Sequence, residues 1–102
     1  MIRSTEALLL FSGWKDEGVS VRASLMDSDE ITFCNIEGII SKVDNARIEI
    51  KNAREGMLVN LEEAEFEYAD SRDFGARKTI YSDMIRARLR SGLHFGIAVL
   101  SR

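Results

Sequence analysis

The stretch "GIISKVDNARIEI", Gly38 to Ile50, decides how this chain folds. It sets a glycine inside an apolar run, follows with the turn-forming pair Asp44-Asn45, and ends on Ile48 and Ile50 in alternation. Alternation marks a strand with one buried face. A glycine weakens a strand unless the backbone must bend there or another backbone comes close. The pattern therefore predicts a long strand over 31–43 bent at Gly38, a turn, and a short strand over 46–51. Such a bend lets a small sheet curl upon itself.

Toward the N-terminus the period becomes helical. Ala7, Leu10, Phe11 and Trp14 share one face of a helix over 4–13, with Ser4 as cap, Glu6 in the first turn and Gly13 as terminator. Val19, Val21, Ala23 and Leu25 then alternate with Ser20, Arg22 and Ser24, predicting a half-buried strand over 19–26. Asp27 to Glu30 forms a polar turn. Ile31 and Phe33 resume the alternation, and the buried set then changes parity to Ile36 and Ile40.

Toward the C-terminus, Met57, Val59 and Leu61 alternate on odd positions, whereas Ala64, Phe66 and Tyr68 alternate on even ones. A parity switch within one strand run over 57–69 implies a bulge or break near Leu61-Glu62-Glu63. Asp70 to Thr79 is polar and predicts a surface excursion. Ile85, Ala87 and Leu89 alternate with Arg86, Arg88 and Arg90, and Leu93, Phe95, Ile97 and Val99 follow. Strands over 82–90 and 93–100, joined by Arg90-Ser91-Gly92 with Gly92 left-handed, place both apolar sets on one face. A helix over 82–89 is the competing reading.

The 102 residues suit one domain with a core of limited depth. A single cysteine, Cys34, and a single histidine, His94, exclude an intramolecular disulfide and a His/Cys metal cluster, and a cytoplasmic setting is expected. The longest apolar stretch, Ala7 to Phe11, is far too short to span a membrane, and no signal peptide is read. The net charge of −3 divides unevenly: zero over residues 1–26, −8 over 27–70 and +5 over 72–102. An acidic middle and a basic end attract each other within one fold or between copies, and the overall acidity argues against a DNA binder.

The order helix, Val19-Ser20-Val21, then Gly38-Ile39-Ile40-Ser41-Lys42-Val43-Asp44 resembles the Sm-like family, whose first motif has a V-x-V-x-L strand and then G-x-L-x-x-φ-D. "LEEAEF", Leu61 to Phe66, looks like the start of that family's fourth strand, and "IRARLRSGLHFGI" like a degraded second motif. The resemblance covers nearly the whole chain. It implies a mostly β fold, with an N-terminal α-helix followed by a strongly bent five-stranded Sm-like or SH3-like small barrel. It also implies a homo-oligomer, commonly a ring joined through sheet edges, and single-stranded RNA bound at the pore.

Carried over by position, Asp44 matches the motif's Asp, while Arg47 stands where a stacking residue belongs and Ile48 where an Asn belongs. Arg90 matches the motif's Arg, but Ser91 intervenes before Gly92. Base-edge hydrogen bonding and π-stacking are thus degraded, since unstacked bases are read through those two contacts. Candidate ligand or RNA contacts are Asp44, Asn45, Arg47, Arg90 and Gly92.

Glu63, Glu65 and Glu67 point off one apolar face, and Arg86, Arg88 and Arg90 off another. Stripes of opposite sign predict cross-strand or inter-subunit pairing, so Glu63, Glu65, Glu67, Arg86 and Arg88 are interface candidates. His94 is expected to be structural, and Cys34 to pack as a small apolar residue. No nucleophile–base set, phosphate loop or metal motif is apparent, so neither enzymatic activity nor a cofactor is expected.

Overall fold

A computed structural model describes residues 2–27, 29, 31–69 and 81–100. The excursion expected over 70–79 lies outside the described residues. One helix, α1 (Ser4–Glu17), precedes seven strands: β1 (Val21–Met26), β2 (Thr32–Val43), β3 (Arg47–Lys51), β4 (Gly56–Asn60), β5 (Glu65–Tyr68), β6 (Tyr81–Arg88) and β7 (His94–Leu100). They form a single antiparallel sheet in the order β4-β3-β2-β1-β7-β6-β5.

The terminal strands of that order, β4 and β5, are consecutive in the chain and run the same way. A flat sheet of seven strands would hold them roughly 29 Å apart, at about 4.8 Å per strand. The five steps from Asn60 to Glu65 reach at most about 18 Å. The sheet must therefore curl, and the molecule is nearly isometric at 30 × 28 × 27 Å. Its hydrogen-bonded ladder does not close, and it has seven strands where five were expected. The six strand runs read from the residue pattern become seven at the parity switch: the run over 57–69 breaks into β4 and β5 at opposite edges, around a turn in which Glu63 is left-handed (φ 58°).

Gly38 is the pivot. The first half of β2 pairs with β1, up to Val21 opposite Gly38, and the second half pairs with β3 from Ile39 opposite Lys51. A bulge between Ile40 and Lys42 shifts the register beyond the buried Ile36 and Ile40, so that Val43 rather than Lys42 packs against the core.

Helix α1 runs past Gly13 to Gly18, longer than expected. Gly18 is left-handed (φ 64°), its N–H bonds to Lys15 O at 3.1 Å, and the Val19 N–H reaches Trp14 O at 3.3 Å. That paired closure ends the helix, whereas Gly13 merely loses a side chain within it. Ser4 is not the cap. Ile2 is bridged to Phe66 in β5, so the chain leaves the sheet extended and Arg3 takes the N-cap position without a side-chain bond. Ala7, Phe11 and Trp14 are buried as expected, and Phe11 meets Phe66 edge-on at 6.0 Å.

Two expectations of burial are overturned. Ile31 and Phe33 are each 61% exposed, and Cys34 is exposed as well. Leu25 opposes Cys34 while Met26 opposes Thr32, so Phe33 is the unpaired residue of a bulge at the start of β2. Conversely β1 is more than half buried, because Ser24 and Met26 on its outer face are also covered. Segment 81–88 is strand, which removes the helical alternative. Ile85 opposes Ile97 and Ala87 opposes Phe95, all buried on the inner face.

Candidate assembly edge

Among the described residues, strand β4 is paired on one side only. The Asn52 carboxamide oxygen accepts from the N–H groups of Arg54 (2.8 Å) and Glu55 (3.0 Å), and the Asn52 N–H donates to Glu55 O, closing the β3–β4 hairpin. The Asn52 side chain also donates to Glu37 O at 2.8 Å, tying this turn to β2. At the far end the Leu61 N–H donates to Ala46 O at 2.7 Å. With residues 52/55 and 46/61 bonded, the alternation of an antiparallel ladder makes 50/57 and 48/59 the other bonded pairs. The backbone groups of Gly56, Leu58 and Asn60 consequently point away from β3, along an edge that no described strand covers.

Met57 and Val59 are buried and anchor β4 to the core, whereas Leu58 is 59% exposed. Leu58 and Asn60 border two grooves. One, of about 330 Å³, is lined further by Leu25, Val59, Leu89, Arg90, Ser91 and Leu93. The other, of about 320 Å³, is lined further by Ala46, Arg47 and Glu62. An exposed leucine on a bare edge between two partly apolar grooves is the feature native sheets usually guard against.

Two of the five sequence-derived ligand residues, Arg47 and Arg90, lie at one end of this edge. Arg47 lies opposite Asn60 in the ladder, and Arg90 lines the larger groove beside Asn60. Arg90 lies 3.7 Å from Glu62 and 3.9 Å from Glu63 in exposed ion pairs, so its charge is partly neutralised. Gly92 is left-handed (φ 92°), and Leu89 and Leu93 bond across the three-residue turn as expected.

Asp44 is used by its own turn. Its carboxylate accepts from the N–H groups of Ala46 (2.8 Å) and Arg47 (3.0 Å), and its N–H donates to Arg47 O. The Ala46 N–H chiefly holds its pKa below the ordinary aspartate value; desolvation opposes it, and the Arg47 N–H and charge add to the lowering. Asn45 stands at the exposed tip of that turn. Beside β4, Ser41 in the β2 bulge donates to Glu49 at 2.6 Å, and that bond chiefly lowers the Glu49 pKa.

Among the interface candidates, Glu65 opposes Arg88 and Glu67 opposes Arg86, the cross-strand arrangement expected from the two stripes. These four line a separate groove of about 220 Å³ together with Phe66 and His94. His94 Nδ1 accepts from the Arg86 guanidinium at 3.0 Å, consistent with a structural imidazole. Glu63 does not belong to the stripe, because it precedes β5 and faces Arg90 instead.

Leu58 was not singled out in the sequence, although a signal existed: an apolar residue on the solvent parity between Met57 and Val59. Among the described residues no three His, Cys, Asp or Glu side chains group as metal ligands, and no helix is long and apolar enough to cross a membrane. Compared with known proteins, the chain matches no family model, no curated protein and no solved structure.

Proposed function

We propose that this protein is a non-catalytic assembly module, an Sm-like small barrel that associates with further copies of itself through the bare edge of β4. The observation that carries this is the outward row Gly56, Leu58 and Asn60, with Leu58 exposed between two grooves. Strand addition there satisfies backbone groups and buries an apolar side chain in one step. The helix-first order and the bend at Gly38 support the Sm-like reading of the fold.

Light scattering over a concentration series tests the proposal. The unaltered chain is expected to associate, and Leu58→Lys is expected to raise the dissociation constant by at least about tenfold while leaving the thermal midpoint of the dilute, dissociated chain unchanged. A clean monomer at high micromolar concentration refutes it. Arg47 and Arg90 at one end of β4 favour a second function, single-stranded RNA binding. The 260/280 nm absorbance ratio of the same purified sample reports co-purifying nucleic acid.

A further inference from the structure

Self-association through β4 leaves open which edge the second copy presents. We infer that it presents the same one: β4 pairs antiparallel with the partner's β4 about a twofold axis through Leu58. This rests on the self-association reading and adds its symmetry.

The other edge of the sheet is obstructed. Ile2, itself buried, forms a bridge to Phe66, and its N–H donates to Phe66 O at 2.9 Å on the outer side of β5. A head-to-tail contact of β4 with β5 would meet that bridge in the middle of a four-residue strand. Among the described residues strand β4 has no such guard, and its outward residues Gly56, Leu58 and Asn60 are spaced evenly about Leu58.

A twofold axis there sets Leu58 against the partner's Leu58, and Gly56 against the partner's Asn60. Every residue so opposed has its backbone groups turned toward the partner, and opposed residues of that kind exchange two hydrogen bonds. A one-residue slip would set outward groups against groups already bonded to β3. The two Leu58 side chains fall on the same face, side by side, and Gly56 leaves room for the Asn60 carboxamide.

Charge selects the direction. Arg54 lies just before β4 and Glu62 just after it, both exposed. The same register brings Arg54 opposite the partner's Glu62, twice by symmetry. Neighbouring charges add nothing to this preference, which rests on the direct Arg54–Glu62 pair: they cancel at the first end and sum to one positive charge at the second. Lys51 and Glu55 flank the first end, while Glu63, Arg47 and Arg90 flank the second, where Arg90 faces Glu62 and Glu63. A parallel pairing would put Arg54 by Arg54 and Glu62 by Glu62, which opposes association.

Charge exchange between separately made full-length variants tests this. Arg54→Glu and Glu62→Arg each place like charges at both ends of the dimer, and each is expected to weaken association by about tenfold. An equimolar mixture forms a heterodimer with opposite charges at both ends, and is expected to recover affinity to within about threefold of the unaltered chain. Light scattering should give the mass of a dimer and nothing larger. Failure of the mixture to recover, or growth beyond a dimer, overturns the twofold arrangement while Leu58→Lys still reports on the β4 edge. A monomeric unaltered chain overturns both.

Discussion

Gly38 presses its Cα against the carbonyl of Lys51, so closely that a Cβ on residue 38 would lie 2.7 Å from the Lys51 carbonyl carbon and 3.3 Å from the Asn52 nitrogen. The contact falls where β2 exchanges β1 for β3 as its partner. Because backbone atoms on β3 and its turn occupy the space, no side-chain rotation relieves the clash.

Gly38→Ala should therefore lower stability by about 1–3 kcal/mol in urea unfolding, the range for overpacking a well-filled site. Gly56→Ala is the comparison, since a Cβ there meets only ordinary contacts of 3.5 Å or more. If both variants unfold at the same midpoint, the close approach at Gly38 is not what bends the strand.

The two glycines of α1 should respond in opposite directions. Gly13 lies inside the helix with nothing within 4 Å of an added Cβ, so Gly13→Ala should stabilise by about 0.5–1 kcal/mol. Gly18 is equally uncrowded but left-handed, so Gly18→Ala should destabilise by about 1 kcal/mol. Thermal unfolding of the pair checks the sign, and two shifts of one sign would refute it.

Asp44 ties the β2–β3 turn to pH. Its folded pKa lies below the ordinary value, chiefly through the Ala46 N–H, so the stability it contributes is present above the unfolded pKa. That stability should be lost as pH falls through the folded value. Asp44→Asn keeps an acceptor for the turn and removes the titration, so its stability should fall less between neutral and acid pH. Parallel denaturation curves at several pH values measure this, and identical acid slopes would rule it out.

Much of the architecture was legible in the chain. The Asp44-Asn45 turn and the Gly92 turn rest on residue types whose conformations are set by their own covalent structure or by hydrogen bonds to adjacent backbone. Gly38 was legible only as a glycine inside a strand, because what requires it is the Lys51 backbone on β3. The opposed stripes of Glu65 and Glu67 against Arg88 and Arg86 were legible too, because parity along two strands of a hairpin-linked sheet restricts which side chains can share a face. Helix length was misjudged at Gly13. One glycine cannot end a helix whose Phe11 and Trp14 face continues into the core, and the closure at Gly18 depends on hydrogen bonds to the preceding turn.

The covering of surfaces was not legible. Ile31, Phe33 and Cys34 carry the apolar signature of a buried strand yet stand exposed, while Ser24 lies buried on a face that reads as polar. Alternation tells which residues share a side. It does not tell whether anything lies against that side.

By itself the sequence determined the helix-then-strands order and the turn positions, because each follows from local stereochemistry and short-range periodicity. Only the tertiary structure decided that residues 56–68 divide between opposite edges of the sheet, that Ile2 guards β5, and that Leu58 stands on a bare edge. Those outcomes depend on how distant strands pair and where pairing stops, and no local pattern encodes which strand is left last in the row.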